Sequence, residues 1–239
     1  MGYRQQHLTP DFFIEMKRIF AIDNASESCS VALYDGSISC SLSRIASRGH
    51  GDAILQMLRQ LLDETGYTKN SIDVLAFGRG PGAFTSLRVG AGIIQGLAVG
   101  MDRPVVAISS LAALAHGVFR TRHHKRTVVA IDARMGQVYH AAYETRALGD
   151  SVLLNDEQVS DPSQIVWPTG DWSAVGNGWQ VYENDIEHGE DLQYLGVGVE
   201  NSALDVAYLS LKEDSEGKAV SAELAIPVYI RDKVAHKKS

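Results

Sequence analysis

Hydrophobic and polar positions divide the chain into short β-type runs and longer helical ones. Apolar residues dominate 19–22 and 30–34, two runs of strand length joined by the polar stretch Asp23-Asn24-Ala25-Ser26-Glu27-Ser28. Asp35-Gly36 predicts a tight turn, and 37–42 a third strand, so the chain opens as an antiparallel three-stranded unit. A helical period follows over about 51–65, with Gly66 placed to stop it. Residues 72–77 read as a buried strand, 85–99 as a second helix and 104–108 as another strand. Ser109 or Ser110 is expected to cap a third helix over 111–118. Beyond a basic, polar joint at 120–126, a strand opens again at 127–131 and the Gly136 turn leads into 138–143. Residues 167–185 read as loops around one strand, 202–212 as a helix and 227–230 as a last short strand.

The strand-and-hairpin opening therefore occurs twice, at about 19–42 and 127–154, which predicts two related α/β subdomains, 16–119 and 120–239. Residues 1–15 contain Pro10 and no periodic pattern, whereas Met16 leads straight into the first strand. They are read as an N-terminal extension.

The two long helices are more apolar than a surface helix needs. In the first, Ile54, Leu55, Met57, Leu58, Leu61 and Leu62 cover an arc of about 160°, against roughly 100° for an ordinary amphipathic helix. In the second, Leu87, Val89, Ile93, Ile94 and Leu97 spread round much of the circumference, leaving Arg88 and Gln95 as a narrow polar strip. Gly92, Gly96 and Gly100 fall on one i, i+4 ridge, where a second element can approach the backbone closely. Burial between a sheet and neighbouring helices would account for one such helix; two together point to a partner protein.

Charge narrows what that partner is. Lysines and arginines number 22 and acids 29, a net charge of −7. A protein gripping nucleic acid by itself would carry a strong basic face, so any such contact is expected to be indirect. The basic tail, Arg231, Lys233, Lys237 and Lys238, is read as a solvated end. Two cysteines, Cys29 and Cys40, make no disulfide framework. No apolar run is read as reaching the roughly 18 residues of a membrane span, and the N-terminus lacks an apolar signal core. A cytoplasmic protein is expected.

Candidate chemistry concentrates at the turns. Gly78-Arg79-Gly80-Pro81-Gly82 lies between a strand and a helix and predicts a sharp, backbone-exposed turn whose amides could bind an anion. It lacks the lysine of a P-loop. The spacing Gly78-x-Gly80-x-x-Ala83 fits a dinucleotide fingerprint, but Asp102 precedes the next strand instead of ending it. Asp23, ending the first strand, either satisfies turn amides or holds a metal–phosphate; Arg134, in the matching turn Asp132-Ala133-Arg134-Met135-Gly136-Gln137, either meets an anion or is simply exposed. The eight histidines, at 7, 50, 116, 123, 124, 140, 188 and 236, offer no pair at metal-ligand helical spacing, and there is no Gly-x-Ser-x-Gly elbow. No cofactor and no metal is expected.

Residues 20–34 (FAIDNASESCSVALY), 76–90 (AFGRGPGAFTSLRVG) and 130–139 (AIDARMGQVY), with Gly176-Asn177-Gly178-Trp179 and the ending Pro227-Val228-Tyr229-Ile230-Arg231, closely resemble the bacterial TsaB (YeaZ) family. The resemblance runs from Met16 almost to the end; Ser86 departs from it, standing where the family has glycine. It implies an actin-like α/β fold of the Hsp70–sugar-kinase superfamily, with mixed sheets flanked by helices. It also implies a non-catalytic subunit that dimerises with TsaD, which puts threonylcarbamoyl on adenosine 37 of tRNAs reading ANN codons. TsaE would join in a larger complex, and the chain alone would form a homodimer. TsaD's His-x-x-x-His metal pair falls here on Ser110 and Leu114, with His116 close by at the wrong spacing, and its Ser-Gly-Gly-His phosphate turn is replaced by Ala133-Arg134-Met135-Gly136. Pairing through the first two long helices would use Ile54, Met57, Leu58, Leu61, Leu87, Ala91, Gly92, Ile94, Gln95, Gly96 and Ala98. The rival expectation is an enzyme, either a metal-dependent glycoprotease-type peptidase or an actin-like kinase.

Overall fold

The computed structural model describes residues 17–231 apart from 27, 46–48, 187, 188 and 197. The N-terminal extension 1–15 and the tail lysines Lys233, Lys237 and Lys238 lie outside the described residues.

The first sheet takes β1 (Ile19–Asp23), β2 (Ser28–Tyr34), β3 (Ser39–Ile45), β4 (Val74–Gly80) and β5 (Val105–Ser109) in the order β3-β2-β1-β4-β5. β1, β2 and β3 pair antiparallel, as their hairpin spacing predicts, and β4 and β5 add in parallel. At the tight turn after β2, the Asp35 carboxylate accepts hydrogen bonds from the Ser37 and Ile38 amides. α1 (His50–Thr65) and α2 (Phe84–Met101) supply the parallel crossovers and pack on one face, around Phe20, Ile22, Leu75 and Phe77. α1 stops where Gly66 takes a left-handed conformation. α3 (Ser110–Arg122) is capped by Ser109, whose hydroxyl accepts from the Leu111 and Ala112 amides.

The second sheet repeats this plan. β6 (Arg126–Arg134), β7 (Gln137–Ala147) and β8 (Asp150–Leu153) form an antiparallel meander, and β10 (Trp172–Val175) and β11 (Leu192–Tyr194) add in parallel beside β6. The order β8-β7-β6-β10-β11 matches the first sheet position for position, with β9 (Gln158–Ser160) an extra strand on β7. The short α4 (Asn177–Val181) and Trp172 cover one face of this sheet, and α3 covers the other. The fold is the actin-like one: two mixed sheets of the same topology flanked by helices.

Two elements differ from the sequence reading. α5 (Ala203–Ser215) falls in the second half of the chain but packs on the first sheet, against Ile19, Ala21, Val74 and Val106. Its apolar stripe has no address in sequence, because any open sheet face would take it. Residues 227–230 are not a strand: Val228 donates one hydrogen bond to the Arg79 carbonyl, but this run makes no ladder with a sheet.

Candidate functional site

The glycine segment is not an exposed turn. β4 continues through it to Gly80, and Gly78 and Gly80 are buried. Two of the glycines exist to admit the β1–β2 loop. A Cβ on Gly78 would lie on the Asp23 carboxylate, and one on Gly82 would come within 2.6 Å of the Ala25 carbonyl oxygen. One residue before α2, the Ala83 amide already donates to that carbonyl, at 3.0 Å. Further along α2, Gly90 gives way to the Asn24 side chain, whose amide bonds the Ser86 carbonyl. The signature therefore records close packing between β1's end and the start of α2.

Asp23 lies at the centre of that junction, only 1 % exposed. One carboxylate oxygen accepts from the Ala25 amide at 3.1 Å, the turn role expected of it; the other has no hydrogen-bond partner. Burial pushes its pKa from 3.8 up to about 7; the Ala25 hydrogen bond opposes this, and the charge of Asp205 adds to it. Ser110, also fully buried, has an unpartnered hydroxyl facing the same glycine as Asp23. Leu114 is buried. His116 has both ring nitrogens committed: Nδ1 donates to Asp205 at 2.6 Å and Nε2 accepts from the Gly149 amide at 2.9 Å. Arg120 grips the same Asp205 carboxylate with two bonds of 2.9 Å.

Between the two sheets runs a cleft of about 940 Å³, lined among others by Ser26, Ala83, Leu114, Asp132, Arg134 and Asn177. Asp132 accepts from the Arg134 amide and the Tyr182 hydroxyl, and pairs with the Arg134 guanidinium at 3.1 Å. The Arg134 side chain is 84 % exposed, the solvated alternative of the two sequence readings. Met135 is exposed beside it.

The second candidate is the outer face of α1 and α2, and here most of the expected contact residues lie elsewhere. Ile54, Met57, Leu58, Leu61, Leu87, Ala91, Ile94 and Ala98 are buried in the chain's own core. The apolar excess read as a partner surface is largely taken up by the first sheet, whose face under two crossover helices needs that width. Gln95 is half-buried and donates to the Ala225 carbonyl. Only Gly92 and Gly96 of the expected set are exposed. A Cβ on either, or on Gly100, would meet nothing within 4 Å. With Val89 and Val99, the latter 75 % exposed, they form an open apolar stripe along α2, with Gly51 of α1 beside Val89; Leu55 of α1 is exposed as well. Leu55 and Val89 lie on the helix wheels among the core-facing residues, and a wheel this apolar gives no outward direction by which to separate them.

α2 also corrects the membrane reading. Over 18 residues its mean hydropathy of 1.2 meets the length and composition of a span. Leu87, Gly90, Ala91, Ile94 and Ala98 are buried against the sheet, so 28 % of that window is buried and the rest is partly or fully open. Among the described residues, no cluster of three or more His, Cys, Asp and Glu side chains has a metal-binding arrangement.

Comparison with known proteins agrees with this topology. A family model described as "TsaD: tRNA N6-adenosine threonylcarbamoyltransferase" matches residues 42–239. The tRNA threonylcarbamoyladenosine biosynthesis protein TsaB of Escherichia coli is 38 % identical over 92 % of this chain and 97 % of its own length. TsaB of Haemophilus influenzae is 36 % identical over 92 % and 96 %. The solved structure of YeaZ from Pseudomonas aeruginosa superposes with a TM-score of 0.83 at 37 % identity, covering 90 % of this chain and all of that one. With the glycine segment, the repeated sheet and near-complete coverage in agreement, the chain belongs to the TsaB (YeaZ) family.

Proposed function

We propose that this chain is a non-catalytic subunit of tRNA threonylcarbamoyladenosine biosynthesis that pairs with TsaD through the open face of α2 and the adjoining side of α1. The observation that carries this is the stripe Gly92, Gly96, Gly100: three glycines on one ridge of a long apolar helix, each facing open space. A glycine inside a helix costs about 1 kcal/mol relative to alanine. Three on a solvent-facing ridge are a standing cost that close approach of another helix would offset. The family model matched by the chain is that of TsaD itself, so the partner would be a paralogue with an equivalent pair of helices.

The non-catalytic part of the reading rests on residue identity. Ser110 and Leu114 stand where the resemblance puts TsaD's metal-binding histidines, and the nearby His116 has both nitrogens occupied within the core. With a net charge of −7, tRNA is met through the partner. TsaE joins the pair, the chain alone forms a homodimer, and the complex works in the cytoplasm without a cofactor of its own on this chain. Subdomains 16–119 and 120–239 remain the division we propose, with α5 of the second crossing over to the first sheet.

Reconstituted tRNA modification tests the proposal. TsaD and the other components should modify adenosine 37 poorly without this chain and efficiently with it. Equal modification without it, or stoichiometric zinc or iron with peptidase activity in the purified chain, would reject the reading.

A further inference from the structure

The run 225–231 leaves the core at the buried Ala225, continues over the surface and is fastened at four places. At one end the Gln95 amide of α2 donates to the Ala225 carbonyl at 3.1 Å. One turn and more earlier on α2, Arg88 donates to the hydroxyl of Tyr229, the residue after Val228, at 3.0 Å while its guanidinium lies 3.9 Å above the Phe84 ring. In the middle the Val228 amide donates to the Arg79 carbonyl at 2.9 Å. At the far end Arg231 donates to the Arg134 carbonyl at 3.3 Å, to the Gln137 side chain at 2.6 Å and to the Met135 sulfur at 3.3 Å. The first anchors belong to α2 on the first sheet, the last to the β6–β7 hairpin on the second, and Val228 to Arg231 line the cleft between them.

The hairpin end of this run is unusual. Arg134, Met135 and Gly136 all have positive φ, at 61°, 59° and 74°, and the β6–β7 register shifts just before them. Two consecutive side-chain-bearing residues in that region persist only where their surroundings hold them there. Asp132 holds Arg134 from within the hairpin; from outside, Tyr182 and Asn177 hold Asp132, and Arg231 holds the turn residues themselves.

We propose that residues 225–231 are a strap that transmits the state of the α2 face to the β6–β7 turn at the mouth of the cleft. Ile226 and Val228 of the strap are themselves exposed apolar side chains, 59 % and 39 %. A chain seated on α2 would press on them and tighten the Arg231 clasp. That last consequence rests on the proposed pairing with TsaD; the strap itself does not.

Hydrogen exchange measured by mass spectrometry, on the whole chain, tests both parts separately. Arg231→Ala should raise exchange about ten-fold in peptides covering 132–137 and leave β1 and β4 unchanged. The decisive variant is Arg88→Met combined with Tyr229→Phe, which loosens the α2 end and touches nothing in the hairpin. It should raise exchange at 132–137 by at least three-fold, with unchanged circular dichroism. Unchanged hairpin exchange in that double variant overturns the strap, whatever TsaD does. If the double variant misfolds, Gln95→Met replaces it with the same criterion. Adding TsaD to the unaltered chain should slow exchange at 132–137. Protection of α2 without protection of the hairpin would overturn transmission, while no protection of α2 would reject the pairing and leave the strap to be judged by the variants.

Discussion

Replacing Asp23 by asparagine should make this protein more stable, and only above acid pH. Asp23 is buried, one of its oxygens accepts the Ala25 amide, and the other has no partner. Its pKa in the folded chain stands at about 7 against 3.8 ordinarily. The folded state thus holds a proton that the unfolded chain has released between those two values. Stability falls as pH rises through that window and levels off above it. At 1.36 kcal/mol per pH unit, the gap is worth about 4 kcal/mol at pH 8. Asparagine keeps the oxygen that meets Ala25, and its amide group replaces the ionisable oxygen beside the unpartnered Ser110 hydroxyl. Urea unfolding of both proteins at pH 4, 6 and 8 measures the difference. It should be near zero at pH 4 and grow to about 4 kcal/mol in favour of Asp23→Asn at pH 8. A difference independent of pH, or one favouring aspartate at pH 8, refutes the assignment of Asp23 as a carboxyl kept neutral by burial.

Other substitutions separate packing from pairing. Gly78→Ala puts a methyl on the Asp23 carboxylate and should cost about 2–3 kcal/mol in thermal or urea unfolding, the scale of an overpacked core. Ile94→Glu, on a residue 0 % exposed, should prevent folding by circular dichroism, whereas Gly96→Leu should leave stability within about 1 kcal/mol or raise it. Asp205→Asn removes the charge shared by His116 and Arg120 and should cost about 3–5 kcal/mol, the penalty of stranding a partly buried cation.

Much of this was legible in the chain because local rules and the fold agree there. The β1–β2–β3 hairpins, the Gly66 stop on α1 and the Ser109 cap on α3 each follow from a turn or cap residue next to a periodic run. The repeat of the hairpin opening at 127 anticipated the second sheet. What failed is information that depends on a neighbour. Gly78 and Gly82 read as a ligand loop because sequence records their lack of a side chain and not the loop that fills the space. Ile94 and Gly96 are two residues apart on one apolar helix, yet one faces the sheet and the other open space; a wheel with almost no polar strip cannot tell them apart. The placement of α5 on the first sheet and the strap at 225–231 are long-range choices with no local signature.

Light scattering on this chain mixed with TsaD is the most direct test of the α2 face. The account predicts a stable mixed dimer with the unaltered chain, and its loss with Gly92→Leu or Gly96→Leu, each as stable by itself as the parent. A mixed dimer that survives both leucines, or a parent chain that never pairs with TsaD, would contradict it.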